Sequence, residues 1–161
     1  MSTFESDDFR WRETYFVLFQ SARRPKLDKV EKLLHKLSDR YQITNLVGDE
    51  EGRFESVTLL APDDYAALDI CYVDDEEVRE QATQLVKEMK NATLQPGDLD
   101  KLAKLPKCDV RFDIMHFEQV TDDQIEEGEE MLDPSALLLV LDALVDLTGG
   151  VGIDPQSGAL M

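Results

Sequence analysis

Residues 133–153 read DPSALLLVLDALVDLTGGVGI, and from Ala136 to Leu147 every residue is apolar except Asp142 and Asp146. Asp133 stands where an N-cap carboxylate accepts from the first free amides, and Pro134 suits a first helical turn. Gly149-Gly150 offers the left-handed conformation that ends a helix. The spacing therefore predicts one helix over 133–148. Apolar around most of its circumference, such a helix needs protein on two or more sides, yet it falls short of the roughly 20 residues that cross a bilayer. It is a core or interface helix, with Leu137, Leu138, Leu141, Leu144 and Val145 as candidate interface residues and Asp142 and Asp146 as its wet stripe.

Upstream, RETYFVLFQ (12–20) sets Phe16 and Leu18 on one side and Tyr15, Val17 and Phe19 on the other, the pattern of a strand covered on both faces. After the turn SARRP, Leu27, Val30, Leu33, Leu34, Leu37 and Tyr41 recur at helical spacing, with Lys29, Lys32, Lys36 and Arg40 on the opposite side. A short strand, 41–47, turns through the Gly48 to Gly52 loop into a second, 54–61. A third, 67–73, follows so closely that it is expected to pair with its predecessor. Asp74 with Glu77 has the capping-box spacing for a helix reaching about Asn91. Gln95-Pro96-Gly97 then breaks the chain before a short helical connector, 98–105. In CDVRFDIMHFEQV (108–120), Val110, Phe112, Ile114, His116 and Glu118 alternate with Asp109, Arg111, Asp113, Met115 and Phe117, as in a strand with one polar margin. Val151 to Ile153 reads as an edge strand.

The order strand, helix, strand, strand, helix, strand points to an α+β chain with a ferredoxin-like βαββαβ antiparallel sheet, an extra strand at 67–73 and a C-terminal apolar helix. That unit puts its two helices on one sheet face. The last helix is then expected to cover the second face or to form a dimer interface. One domain over 1–161 is expected: a core at 10–120, an acidic tether at 121–132, and the helix and tail at 133–161.

With 42% hydrophobic residues the chain can bury a core, although its formal net charge is −18. Residues 10–40 hold nine Lys/Arg against four Asp/Glu, a balance of +5, so the remainder carries −23. A field of that sign repels phosphate backbones, which argues against nucleic acid and for a homodimer or a basic protein partner. No basic start followed by an apolar run opens the chain, so no membrane segment and a cytoplasmic location are expected. Cys71 and Cys108 lack the spacing of a zinc cluster or a disulfide framework and read as reduced structural thiols.

His116 and Glu118 share a strand face at roughly 7 Å, close enough to orient one another or to hold a ligand or metal. More simply, His116 is a core-edge residue satisfied by a carboxylate or a carbonyl. His35, between Leu34 and Lys36, is expected to be partly exposed. The stretch TDDQIEEGEE fails as a calcium loop, because Ile125 and Pro134 fall at ligand positions. Gly149-Gly150-Val151-Gly152 follows a helix, which no dinucleotide fingerprint does. No GxxxxGK[ST], GxSxG or HExxH is present, and no cofactor is implied.

The segments FDIMHFEQV, DPSALLLVLDALVDLTGG and VGIDPQSGALM resemble a family of small acidic bacterial α+β proteins. That resemblance spans most of the chain and implies neither an activity nor site residues. Taken together, these features favour a non-enzymatic protein-interaction or assembly module. The alternatives are a small-ligand or metal-binding protein, conceivably an enzyme, using His116 and Glu118, and an acidic inhibitor or mimic of a basic partner.

Overall fold

Every residue of the FVLF run lies inside: Val17 and Phe19 are buried on one side of β1 (Phe9–Phe19), while Leu18 and half-buried Phe16 pack on the other. The computed structural model describes residues 9–89, 96–119, 134–155 and 160. It is α+β. The strands β2 (Gln42–Gly48), β3 (Phe54–Ala61), β4 (Ala66–Val73), β5 (Val110–Gln119) and β6 (Val151–Ile153) join β1 in one antiparallel sheet, ordered β2-β3-β4-β5-β1-β6. The helices are α1 (Leu27–Leu37), α2 (Glu76–Met89), α3 (Asp98–Lys104) and α4 (Ser135–Thr148).

Two apolar layers fill the space on either side of the sheet. On the first, Val30 and Leu34 of α1 and Ala136, Leu137, Val140, Leu141 and Leu144 of α4 pack on Val17, Phe19, Leu59, Leu68, Ile70, Phe112 and Ile114. Phe112 is the hub of this layer, its ring centroid 4.7 Å from Phe19 and 5.5 Å from Phe54. On the second face, Val78, Ala82 and Leu85 of α2, together with Leu105 and Cys108, cover Leu18, Val151 and Ile153. A fully buried leucine contributes about 1.5–3 kcal/mol. Leu137, Leu141 and Leu144 therefore tie α4 firmly to its own sheet.

This arrangement departs from the ferredoxin-like expectation. The strands joined by α1, β1 and β2, have β5, β4 and β3 between them, and α1 and α2 lie on opposite faces. The turn Pro62–Asp64 is so short that β3 and β4 must pair, Leu59 opposite Leu68, and β5 then docks on the free edge of β4. With α2 and the connector already on the second face, α4 shares the first with α1. An apolar stripe states that a helix packs; it does not state on which face.

Local signals held with small shifts. The 48–52 turn is built around Asp49, whose carboxylate accepts from the backbone N–H of Arg53 at 2.8 Å and of Glu51 at 3.0 Å, and from Arg53 Nε at 2.8 Å. These bonds, led by the Arg53 amide, hold its pKa below the usual aspartate value. The cap of α2 is Asp75 in place of Asp74: its Oδ1 accepts from the Glu77 N–H at 3.2 Å, and Val78 three residues on supplies no carboxylate to complete a box. Gly149 ends α4 at φ +67° with its N–H on the Val145 carbonyl. The expected tether at 121–132, the N-cap at Asp133 and the rejected calcium loop lie outside the described residues. Among those residues no helix is long and apolar enough to cross a membrane.

Candidate functional site

His116 and Glu118 both point to the α4 side of β5 and are both buried. What holds them is β1. Antiparallel pairing sets Glu13 opposite His116 and Arg10 opposite Glu118, and a bulge between Trp11 and Glu13 leaves Arg12 as the extra residue. The bulge brings Arg12 within 3.2 Å of the same Glu118 oxygen that Arg10 reaches at 2.8 Å. His116 Nδ1 lies 3.1 Å from Glu13 Oε1. An ionised carboxylate only accepts, so Nδ1 carries the proton in that bond.

The histidine and the glutamate therefore do not orient one another; each has its own partner from β1. Nε2 of His116 is buried and has no hydrogen-bond partner among the described residues. The His116 side chain is fully enclosed and that of Glu118 is 3% exposed, whereas Arg10 is 61% exposed. Such an arrangement fixes the register of β1 on β5 and screens a buried carboxylate with two guanidinium groups, one of them largely in water. Among the described residues no group of three or more His, Cys, Asp or Glu is placed to hold a metal ion.

His116→Gln is expected to cost about 1.5–3 kcal/mol, the range for losing one hydrogen bond to a charged group, read from urea unfolding. Calorimetric zinc titrations of wild type and variant are expected to be indistinguishable. Submicromolar zinc binding by wild type, lost in the variant, would make His116 a ligand.

The α4 candidates divide sharply. Leu137, Leu141 and Leu144 are buried in the chain's own core and Val145 packs beside them, so only Leu138 of that set, at 41% exposure, faces outward. Leu139, which the sequence reading passed over, is 47% exposed. Together with Asp142 and Asp146 these leucines form the outer ridge of α4. The matching ridge of α1 carries Lys29, Lys32, His35 and Lys36, all exposed, whereas Arg40 pairs with Asp63 at 2.9 Å.

The two helices run antiparallel, since different residues join them at each end. Leu37, Arg40, Tyr41, Ser135 and Leu139 line a cleft of about 280 Å³ at one end. Arg23, Lys26, Lys29 and Leu147 line one of about 410 Å³ at the other. Cys71 and Cys108 are free thiols, and burial pushes Cys108 up to about 11, far from a reactive thiolate.

The partners Arg10, Arg12 and Glu13 were invisible in the sequence, because RWRE precedes the apolar run without any mark of register. Leu139 was legible, since counting back three from Asp142 lands on it. Comparison of the chain with known protein families, with curated proteins and with solved structures finds no match.

Proposed function

We propose that this chain is a non-enzymatic interaction module that assembles with a second copy of itself through the outer face of α1 and α4. The observation that carries the proposal is the complementarity of two neighbouring ridges. One exposes Lys32 and Lys36, and the other exposes Leu138, Leu139 and Asp142. A two-fold axis along the helix direction lays α1 of one copy on α4 of the other, lysine against aspartate, with the leucines desolvated against the C-terminal end of α1. A surface that is its own complement is what an isologous dimer needs. The opposite charges set register and association rate, and the leucines supply the burial.

A ligand-binding reading centred on His116 and Glu118 has one observation behind it, the unpartnered Nε2. It requires the β1–β5 cluster to open before anything can reach it. The dimer needs no such opening.

Charge reversal tests the pairing. Lys32→Glu and Asp142→Lys, made singly, are each expected to weaken self-association at least tenfold in sedimentation equilibrium. Combined in one chain they are expected to restore it, since each reversed charge then meets its reversed partner. A double variant as weak as either single one would contradict the pairing of these ridges.

A further inference from the structure

Among the described residues, every arginine except Arg23 lies within salt-bridge distance of a carboxylate. In a chain with 35 Asp/Glu and 17 Lys/Arg, an arginine that finds none is the exception. Arg23 ends the 3-10 turn Ser21–Arg23 and lines the cleft of about 410 Å³ with Lys26, Lys29 and Leu147. Among the described residues neither lysine has an ion-pair partner, and all three cations are exposed. Arg24, which also borders the cleft, is committed elsewhere: it stacks on Tyr72 at 3.8 Å, donates to the Phe54 carbonyl at 2.9 Å and lies 3.5 Å from Asp49. It forms a rigid wall.

One structural role is open to Arg23. A side chain added at Gly149 would stand 3.6 Å from its guanidinium, so the cation sits over the C-terminal end of α4, where positive charge is favoured. That role uses one charge and leaves Lys26 and Lys29, at the start of α1, facing the same cleft. The cleft volume lies in the range that holds small ligands. A fork of guanidinium donors beside two ammonium groups matches a tetrahedral oxyanion of multiple charge. The −18 field of the whole chain works against long polyanions, which feel it over their full length, more than against a small anion held at contact distance.

We infer that Arg23, Lys26 and Lys29 form a binding site for a small phosphate-bearing anion in the cleft between the start of α1 and the end of α4.

Isothermal titration of the full chain with inorganic pyrophosphate at low ionic strength tests the site. One saturable event per chain is expected, weakened at least tenfold by Arg23→Gln and by Lys26→Gln with Lys29→Gln, and unchanged by Lys104→Gln on α3. Circular dichroism of each variant verifies that it is folded. Citrate, an anion of similar charge built from carboxylates, is expected to bind more weakly. Absence of saturable heat, an equal loss in Lys104→Gln, or tighter binding of citrate would each overturn the assignment. The same titration on a chain carrying Leu138→Asp and Leu139→Asp separates this site from the dimer, because pyrophosphate binding is expected to survive there.

Discussion

Leu144→Asp is expected to leave the chain unfolded at room temperature. Leu144 is wholly buried in the layer that α4 and α1 build on the sheet. Truncating such a leucine alone costs about 2–5 kcal/mol, and a buried carboxylate without a partner adds several more. A domain of this size has about 5–15 kcal/mol in all. Asp146→Asn on the exposed ridge of the same helix is expected to shift stability by about 0.5 kcal/mol or less. Urea unfolding followed by far-ultraviolet circular dichroism makes the comparison. An unchanged midpoint for Leu144→Asp would mean that α4 is not part of the core.

Gly150→Ala has the next largest expected effect, through space and not through backbone torsion. A methyl built on Gly150 runs into the Leu18 carbonyl oxygen and meets Phe19 Cβ at 2.9 Å, both on the central strand. The Leu18 oxygen is backbone and cannot swing aside, and Thr148 Oγ1, at 3.0 Å, is held by the Leu144 carbonyl. Over-packing of a rigid site costs about 1–3 kcal/mol, and a backbone contact puts this one at the upper end. Thermal melting reads it, and a variant melting with the wild type would show that β6 can slide on β1 freely.

These two residues also mark what the sequence makes legible. Aspartate, proline and a glycine pair around twelve mostly apolar residues specify a helix and its stop, and that helix is present at Ser135–Thr148. The alternating faces of β1, the α1 stripe and the hairpin around Asp49 were equally local, hence equally readable. What was not local was not readable. The choice of sheet face for α2 and α4 follows from the strand order, which depends on how β5 finds β4, and no residue within α2 or α4 encodes that. The partition of α4 into Leu137, Leu141 and Leu144 inward and Leu138 and Leu139 outward needed the position of the sheet. Likewise His116 and Glu118 were correctly placed on one face by their spacing. Their separate partners came from a register and a bulge more than 100 residues away in the chain.

The proposed assembly rests on α4 turning one side to its own core and the other to a second copy. Native mass spectrometry across a concentration series, on wild type and on the Leu138→Asp, Leu139→Asp chain, tests that division directly. Both positions are already exposed, so the substituted chain is expected to stay folded, with the melting temperature of the wild type. The expected result is a concentration-dependent dimer for the wild type and a monomer for the substituted chain. A wild type that remains monomeric at every concentration, or a substituted chain that still dimerises, would contradict it.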